Sequence, residues 1–148
     1  MVLWLTFGAA ALIGVYGLVG GTRFASELIS GLALPPLGLV VLMLGVIFLL
    51  GMVMDWIGIT LLTMPIFVPV LQGLGFDLVW FGVLFCISVQ ISYLTPPFGP
   101  AAFFLKGVAP PEISLQQIFA AVMPFIGLQV LALALVLIFP AIALWPIQ

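Results

Sequence analysis

Three hydroxyl side chains stand at helical spacing just ahead of a group of prolines. Ser88, Ser92 and Thr95 occupy positions i, i+4 and i+7, so in a helix their oxygens lie on one face. Oxygen ligands without thiolate or imidazole groups suit a hard cation, for the same reason that hard divalent ions are bound by oxygen ligands. The pattern is therefore compatible with a site for a cation such as Na⁺.

Pro96, Pro97 and Pro100 interrupt the same helix. A proline has no N–H and frees the carbonyl four residues before it, so the carbonyls of Ser92, Tyr93 and Pro96 are expected to be released. Broken backbone at membrane depth is tolerated only where protein buries it or a watery cavity meets it. The carbonyls either bind an ion or belong to an ordinary proline kink satisfied by Ser and Thr hydroxyls. The residues alone leave both interpretations open.

A second half-helix is expected to begin after Gly99. Its N-terminus carries the positive end of the helix dipole, which favours an anionic substrate group. Asp55 could add a carboxylate nearby if it lies at the tip of a hairpin inside the membrane, and an ordinary loop acid is the alternative. Half-helices that face ions and substrates are the general plan of secondary transporters.

The composition places these residues in a membrane. The chain has 148 residues, of which 66% are hydrophobic and only 4% are charged, whereas a soluble domain carries about a quarter charged residues. Histidine is absent, and Cys86, the single cysteine, is expected to be a small buried hydrophobe. Zinc and iron sites are therefore not expected. No basic patch exists, so nucleic acid is not expected as a partner.

The pattern of apolar runs predicts an all-α integral membrane protein with five segments. These are a transmembrane helix at 1–21, an interfacial helix at 22–36, a paired segment at 37–72, a broken transmembrane helix at 78–105 and a last transmembrane helix at 112–148. In the interfacial segment Arg23 and Glu27 are spaced i, i+4. Ser114 and Gln117 are spaced as a capping box for the last helix.

Residues 37–72 contain two apolar arms separated by "MVMD". Each arm is shorter than the roughly 20 residues that a full crossing prefers. The arms form either two thinly spanning helices or a re-entrant hairpin, and their length does not decide between these. Both arrangements return the chain to the side it left, so Arg23 and Lys106 face opposite sides and the positive-inside rule does not choose an orientation.

Four motifs occur in order at compatible spacing from about Leu37 onward. They are "G-x-x-x-D" after the first arm, "P-I-x-x-P" in the second, "G-x-D-x-x-W-F-G" before the broken helix, and "T-P-P-F-G" at the break. With these motifs the chain resembles the C-terminal part of the large membrane subunit of tripartite ATP-independent periplasmic (TRAP) transporters.

The resemblance implies an importer in the bacterial inner membrane, a multi-pass protein and not an enzyme. The family takes up organic acids or other small polar solutes by an elevator motion driven by a sodium gradient, so Na⁺ is the expected coupling ion and no other cofactor is expected. Its partners are a soluble periplasmic substrate-binding protein and a smaller membrane subunit. The resemblance also implies that 37–72 is the re-entrant hairpin of a second inverted repeat, that the C-terminus is periplasmic and that Lys106 is cytoplasmic.

The family's motifs indicate the residues that bind sodium or substrate, and the helical spacing described above adds Ser92. The expected site residues are Gly51, Asp55, Ser92, Thr95, Pro96, Pro97 and Gly99.

One departure from the family concerns the first inverted repeat, which these 148 residues do not contain. The chain alone is therefore not expected to transport. It is expected to be the C-terminal piece of a split or truncated permease, or a partial sequence of one, and to work with the N-terminal repeat if that repeat is encoded separately. The alternative is a truncated or accessory membrane fragment without transport activity. An intramembrane protease is disfavoured, because Asp55 has no second acid at comparable depth and no serine–histidine pair is available.

Overall fold

The computed structural model describes residues 2–21, 23, 24, 27, 31, 34–97 and 99–145. Throughout this part of the chain the regular structure is helical, and no β-strand occurs in it. The all-α class expected from the sequence is therefore confirmed. The helices, in chain order, are α1 (Val2–Leu18), α2 (Pro36–Gly51), α3 (Trp56–Gly73), α4 (Leu78–Leu94), α5 (Pro100–Val108), α6 (Leu115–Ile138) and α7 (Ala141–Leu144).

The segment expected to be an interfacial helix lies largely outside the described residues. Within it, the Arg23 guanidinium donates to the Glu27 carboxylate at 2.9 Å, and both side chains are exposed. The i, i+4 pair expected from the sequence is confirmed, and at this exposure it contributes little to stability.

Helices α2 and α3 contact each other and are joined by the four residues Met52–Asp55. Helix α2 starts with Pro36 in its first turn, where a missing N–H costs no hydrogen bond. The turn is tight, because the Met52 N–H donates to the Leu49 carbonyl at 3.3 Å and the Val53 N–H to the Leu50 carbonyl at 3.0 Å. The two arms are thus an antiparallel helical hairpin of 16 and 18 residues.

Helix α4 is the centre of the structure and contacts α2, α3, α5, α6 and α7. It begins at Asp77, whose carboxylate accepts the N–H groups of Val79 at 2.7 Å and Trp80 at 3.0 Å. These bonds satisfy two of the N–H groups that a helix start leaves open. Asp77, a loop acid in the sequence, is therefore the N-cap of the central helix.

The core lies between the hairpin and α4. Its fully buried large side chains include Ile47 from α2, Ile59 and Leu71 from α3, and Phe81 and Leu84 from α4. Because lipid is as apolar as these side chains, close packing rather than the hydrophobic effect holds such helices together. Cys86 is exposed on the outer side of α4, so the expectation that it would be buried is wrong.

Helix α6 is the longest, with 24 residues, and only Ile118 and Val136 are buried in it. Its N-terminus carries the expected capping box: the Gln117 N–H donates to the Ser114 hydroxyl, and the Gln117 side chain accepts from the Ser114 N–H at 2.7 Å. Of the described helices, Trp56–Gly73 and Leu115–Ile138 are long and apolar enough to cross a membrane. An apolar helix that its own protein covers so little is expected to face lipid or another membrane helix.

Candidate ion and solute site at a helix break

The run expected to cross the membrane at 78–105 is divided into two helices. Helix α4 ends at Leu94 and α5 begins at Pro100. Thr95 is extended, with φ −77° and ψ 130°, and the chain between the two helices contains half-buried Pro96, exposed Pro97 and buried Gly99. The break therefore coincides with the "T-P-P-F-G" motif.

The carbonyls at the end of α4 are only partly free. Ser92 was expected to have a released carbonyl, but its carbonyl accepts the Thr95 N–H at 3.3 Å in a tighter i, i+3 turn, so that expectation is wrong. Tyr93 is followed at i+3 and i+4 by Pro96 and Pro97, neither of which has an N–H to offer. The Tyr93 carbonyl is thus denied both helical donors and stays open to another partner.

The three hydroxyls on this face of α4 each donate to a backbone carbonyl. Ser88 donates to Leu44 of α2 at 3.3 Å, Ser92 to Val89 at 2.7 Å and Thr95 to Ile91 at 2.7 Å. A hydroxyl that donates its proton keeps its oxygen lone pairs, so these oxygens can still accept a cation. Ser88 and Ser92 are buried, whereas Thr95 is only half-buried and is the accessible one of the three.

Gly99 is packed closely against the end of α4. A Cβ at this position would lie 2.9 Å from the Leu94 carbonyl oxygen and 3.1 Å from the Thr95 carbonyl oxygen. The Gly99 N–H donates to the Thr95 carbonyl at 2.9 Å. The break is therefore a compact turn that only glycine fits.

The tip of the hairpin meets this break. Gly51, the last residue of α2, lies against Ser92, and a Cβ on Gly51 would come within 2.7 Å of the Ser92 Cβ. The turn donors described above bond to Leu49 and Leu50, and within the described part of the chain no backbone N–H bonds to the Gly51 carbonyl. Gly51 and Ser92, 41 residues apart in sequence, are thus brought together.

Asp55 follows this tip at the N-cap position of α3 and is exposed. Its carboxylate makes no capping hydrogen bond. No hydrogen bond joins Asp55 to Thr95 within the described part of the chain. Asp55 lies beside the hairpin tip, four residues after Gly51, and its carboxylate does not cap α3.

Four helix ends surround this region. Helices α2 and α4 both end here, and α3 and α5 both begin just beyond them. Helix C-termini carry partial negative charge and N-termini partial positive charge. The region therefore offers one environment for a cation and a neighbouring one for an anion.

No side-chain metal cluster or basic side chain contributes to the break. The described residues contain no group of three or more His, Cys, Asp or Glu side chains that could hold a metal ion. Lys106 lies at the other end of α5 and donates to the Ile113 carbonyl at 2.6 Å. The polar groups that the described residues offer at the break are therefore hydroxyls and backbone carbonyls.

One link in the structure was not expected from the sequence. The Trp80 indole N–H of α4 donates to the Val136 carbonyl of α6 at 2.8 Å. Pro140 lies four residues after Val136 and has no N–H, so the sequence could have indicated that the Val136 carbonyl lacks its helical donor. The sequence does not indicate that Trp80 would supply the replacement.

Comparison with known proteins identifies the family. The model of the family described as "Tripartite ATP-independent periplasmic transporter, DctM component" matches residues 1–142, which extends the resemblance noted from Leu37 to nearly the whole chain. No solved structure was found to match.

Several curated relatives carry the names of large permease proteins. A 2,3-diketo-L-gulonate TRAP transporter large permease protein of Escherichia coli is 30% identical over 83% of this chain and 28% of its own length. A sialic acid TRAP transporter large permease protein of Vibrio cholerae is 33% identical over 74% of this chain and 25% of its own. An ectoine TRAP transporter large permease protein of Halomonas elongata is 34% identical over 74% of this chain and 25% of its own length.

The chain is much shorter than these proteins. The matched region amounts to 16 to 30% of the length of curated relatives. The family is one of membrane permeases rather than a class of enzymes. By the family model and these relatives together, the chain belongs to the family of TRAP transporter large permease proteins, and it spans about a quarter of the length of such relatives.

Proposed function

We propose that this chain is the C-terminal segment of a TRAP-type permease that mediates sodium-coupled uptake of a small organic acid or polar solute. It lies in the bacterial inner membrane as a multi-pass protein. A periplasmic substrate-binding protein delivers the solute, and a small membrane subunit and the N-terminal repeat of the permease complete the transporter. The relatives named for sialic acid, ectoine and 2,3-diketo-L-gulonate support a small polar solute without selecting one.

The observation that carries the sodium proposal is the meeting of two helix C-termini at one place. Gly51 ends α2 and lies against Ser92 in the last turn of α4. The Gly51 and Tyr93 carbonyls lack their helical donors, and the partial negative ends of both helices add to the field. Oxygen ligands and negative helix ends suit a hard cation. In this proposal the Thr95 hydroxyl oxygen joins these carbonyls as a sodium ligand.

The other site residues have supporting roles in the proposal. Asp55 supplies the negative charge nearest the hairpin tip, because the fold does not use its carboxylate. Pro96, Pro97 and Gly99 keep the backbone open at the break. Ser92 contributes as part of the wall behind the ion, since its side chain is fully buried.

The anionic part of the solute is proposed to lie at the N-terminus of α5. This helix begins directly after the break, and its first N–H groups are available to an anion placed there. Among the described residues that form the break there is no Lys or Arg that would compete for this role. A carboxylate and a sodium ion in adjacent positions would neutralise each other.

We further propose that α2 and α3 form a re-entrant hairpin. The Trp80–Val136 hydrogen bond and the Phe103–Phe119 ring contact at 6.3 Å show that α4 and α5 together run antiparallel along α6. Helix α6 is about 36 Å long at 1.5 Å per residue, whereas the hairpin tip meets α4 only about 21 Å from its start. This supports a tip that stops inside the membrane, at the depth of the break.

A second candidate is an accessory membrane fragment without transport activity. Its support is that the Ser88, Ser92 and Thr95 hydroxyls each donate to a backbone carbonyl, as in an ordinary proline kink without a bound ion. The two candidates are separated by purifying the chain, tagged at its C-terminus, from gently solubilised native membranes and identifying its companions by mass spectrometry. Recovery of a first-repeat polypeptide and a small membrane subunit, with sodium-dependent uptake by the reconstituted assembly, supports the permease. Recovery of the chain alone supports the fragment.

A further inference from the structure

We propose that Gly51 and Ser92 form a positioning joint, which fixes the hairpin tip of α2 and α3 to the last turn of α4 and thereby sets where the ion ligands stand. The joint rests on the proposed function, because its purpose is to position the sodium site. Neither side chain needs to touch the ion for this role.

The reason for glycine at position 51 is space rather than backbone conformation. Positive φ angles occur among the described glycines at Gly20 and Gly75, but not at Gly51, which is the last residue of a helix. A Cβ on Gly51 would lie 2.7 Å from the Ser92 Cβ and would also contact the Ser92 hydroxyl. Gly45 in the same helix has no neighbouring atom within 4 Å of its Cβ position. Gly51 and Gly45 of α2 thus differ in the space around them.

Ser92 is equally fixed. Its side chain is fully buried, and its hydroxyl is held by the bond to the Val89 carbonyl at 2.7 Å. A side chain in this position does not rotate away from a new methyl group without losing that bond. The contact therefore cannot adapt cheaply to a larger residue at position 51.

A second contact lies one turn earlier on α4. The Ser88 hydroxyl donates to the Leu44 carbonyl of α2 at 3.3 Å. Helices α2 and α4 run in the same direction, and two fixed points along such a pair oppose both sliding and rotation. The hairpin and the first half of the broken helix therefore move together.

The Gly51–Ser92 contact is linked through the backbone to Thr95, the proposed sodium ligand. The Ser92 carbonyl accepts the Thr95 N–H, so a shift of Ser92 is passed to the residue whose hydroxyl is the proposed sodium ligand. The same contact sets the distance between the Gly51 carbonyl and Thr95. A displaced joint is expected to weaken sodium binding even if every ligand is still present.

The test uses four variants of the full chain, purified with its bound partners: Gly51→Ala, Ser92→Gly, the two combined, and Gly45→Ala as the matched control. Thermal unfolding is followed by circular dichroism during a titration of sodium chloride against choline chloride. Gly51→Ala is expected to lower the melting temperature in choline and to raise the half-stabilising sodium concentration about tenfold. Adding Ser92→Gly removes the atoms that the new methyl group meets and is expected to restore both values toward those of the single Ser92→Gly protein.

The outcomes separate the joint from the proposed function. A wild-type protein whose melting does not respond to sodium would overturn the sodium site, and the joint is then judged by the melting temperatures in choline alone. The joint is overturned if Gly51→Ala and Gly45→Ala have the same melting temperature in choline and the same half-stabilising sodium concentration. It is also overturned if adding Ser92→Gly to Gly51→Ala restores neither value. If Gly51→Ala does not fold, a folded double variant supports the joint and an unfolded one overturns it.

Discussion

The indole N–H of Trp80 donates to the carbonyl of Val136 at 2.8 Å and so replaces a donor that Pro140 cannot provide. In an unbroken helix the N–H four residues later would bond to this carbonyl, and a proline at that place leaves it open. Both Trp80 and Val136 are buried. The bond ties the start of the central helix to the end of the long helix α6.

Replacing Trp80 with phenylalanine is expected to destabilise the protein by about 1–3 kcal/mol, the cost of a buried acceptor left without its donor. Phenylalanine keeps an aromatic ring for the stacking with Phe76, whose ring centroid lies 5.3 Å from that of Trp80. The measurement is the free energy of unfolding in denaturant, followed by circular dichroism. Trp145→Phe serves as the control, because Trp145 is 80% exposed. Equal stability of the two variants would show that the hydrogen bond contributes nothing.

Thr95→Val keeps the shape of the side chain and removes its hydroxyl. In the assembled permease it is expected to raise the sodium concentration for half-maximal uptake about tenfold, equivalent to the loss of about 1.4 kcal/mol of ligand binding. Thr63 provides the matched control, because its hydroxyl makes the same i−4 bond, to Ile59 at 2.8 Å, in the interior of α3. Sodium dependence that is the same in Thr95→Val and Thr63→Val would remove Thr95 from the ligand set.

Asp55→Asn tests whether the charge at the hairpin tip attracts the cation. The amide has nearly the same shape, and the fold does not depend on the carboxylate. The half-saturating sodium concentration for uptake is therefore expected to rise roughly tenfold at unchanged protein level, for a loss of about 1.4 kcal/mol of charge attraction. Glu112→Gln, a change of the same kind at an exposed loop acid, is expected to have no effect. If both variants match the wild type, Asp55 is an ordinary loop acid.

Asp77 is expected to serve stability rather than ion binding. Asp77→Ala removes the acceptor for the N–H groups of Val79 and Trp80 and is expected to cost about 1 kcal/mol of unfolding free energy. Asp77→Asn preserves a capping oxygen and should lose much less. Both are measured by denaturant unfolding, with uptake as the second readout. A change in sodium dependence in either variant would contradict this assignment.

Local features of this chain could be predicted because local chemistry decides them. Pro96 and Pro97 of the "T-P-P-F-G" motif remove two successive N–H donors where α4 ends, and the Ser114–Gln117 capping box depends on residues three apart. Which backbone carbonyls would lack a hydrogen-bond donor was less predictable. The Ser92 carbonyl found a donor in Thr95, because the last turn of α4 tightens where the helix ends.

The contacts that assemble the candidate site could not be predicted. Gly51 and Ser92, Leu44 and Ser88, and Trp80 and Val136 are each separated by 41 or more residues. Membrane helices that are apolar on all sides have no amphipathic stripe to indicate which face turns inward. The burial of Ser92 and the exposure of Cys86 follow from helix packing, which the sequence does not display.

The depth of the hairpin tip has an electrical consequence. In the proposed re-entrant arrangement, the Gly51–Ser92 contact lies about 21 Å along a structure in which α6 measures about 36 Å, and so stands inside the low-dielectric layer. The membrane voltage falls across this layer, and one elementary charge that crosses it fully gains or loses about 2.3 kcal/mol per 100 mV. A cation that binds at this depth would have crossed a substantial part of the membrane voltage before any conformational change of the protein began. Occupancy of the site would then be set by the energised state of the cell as well as by the sodium concentration outside it.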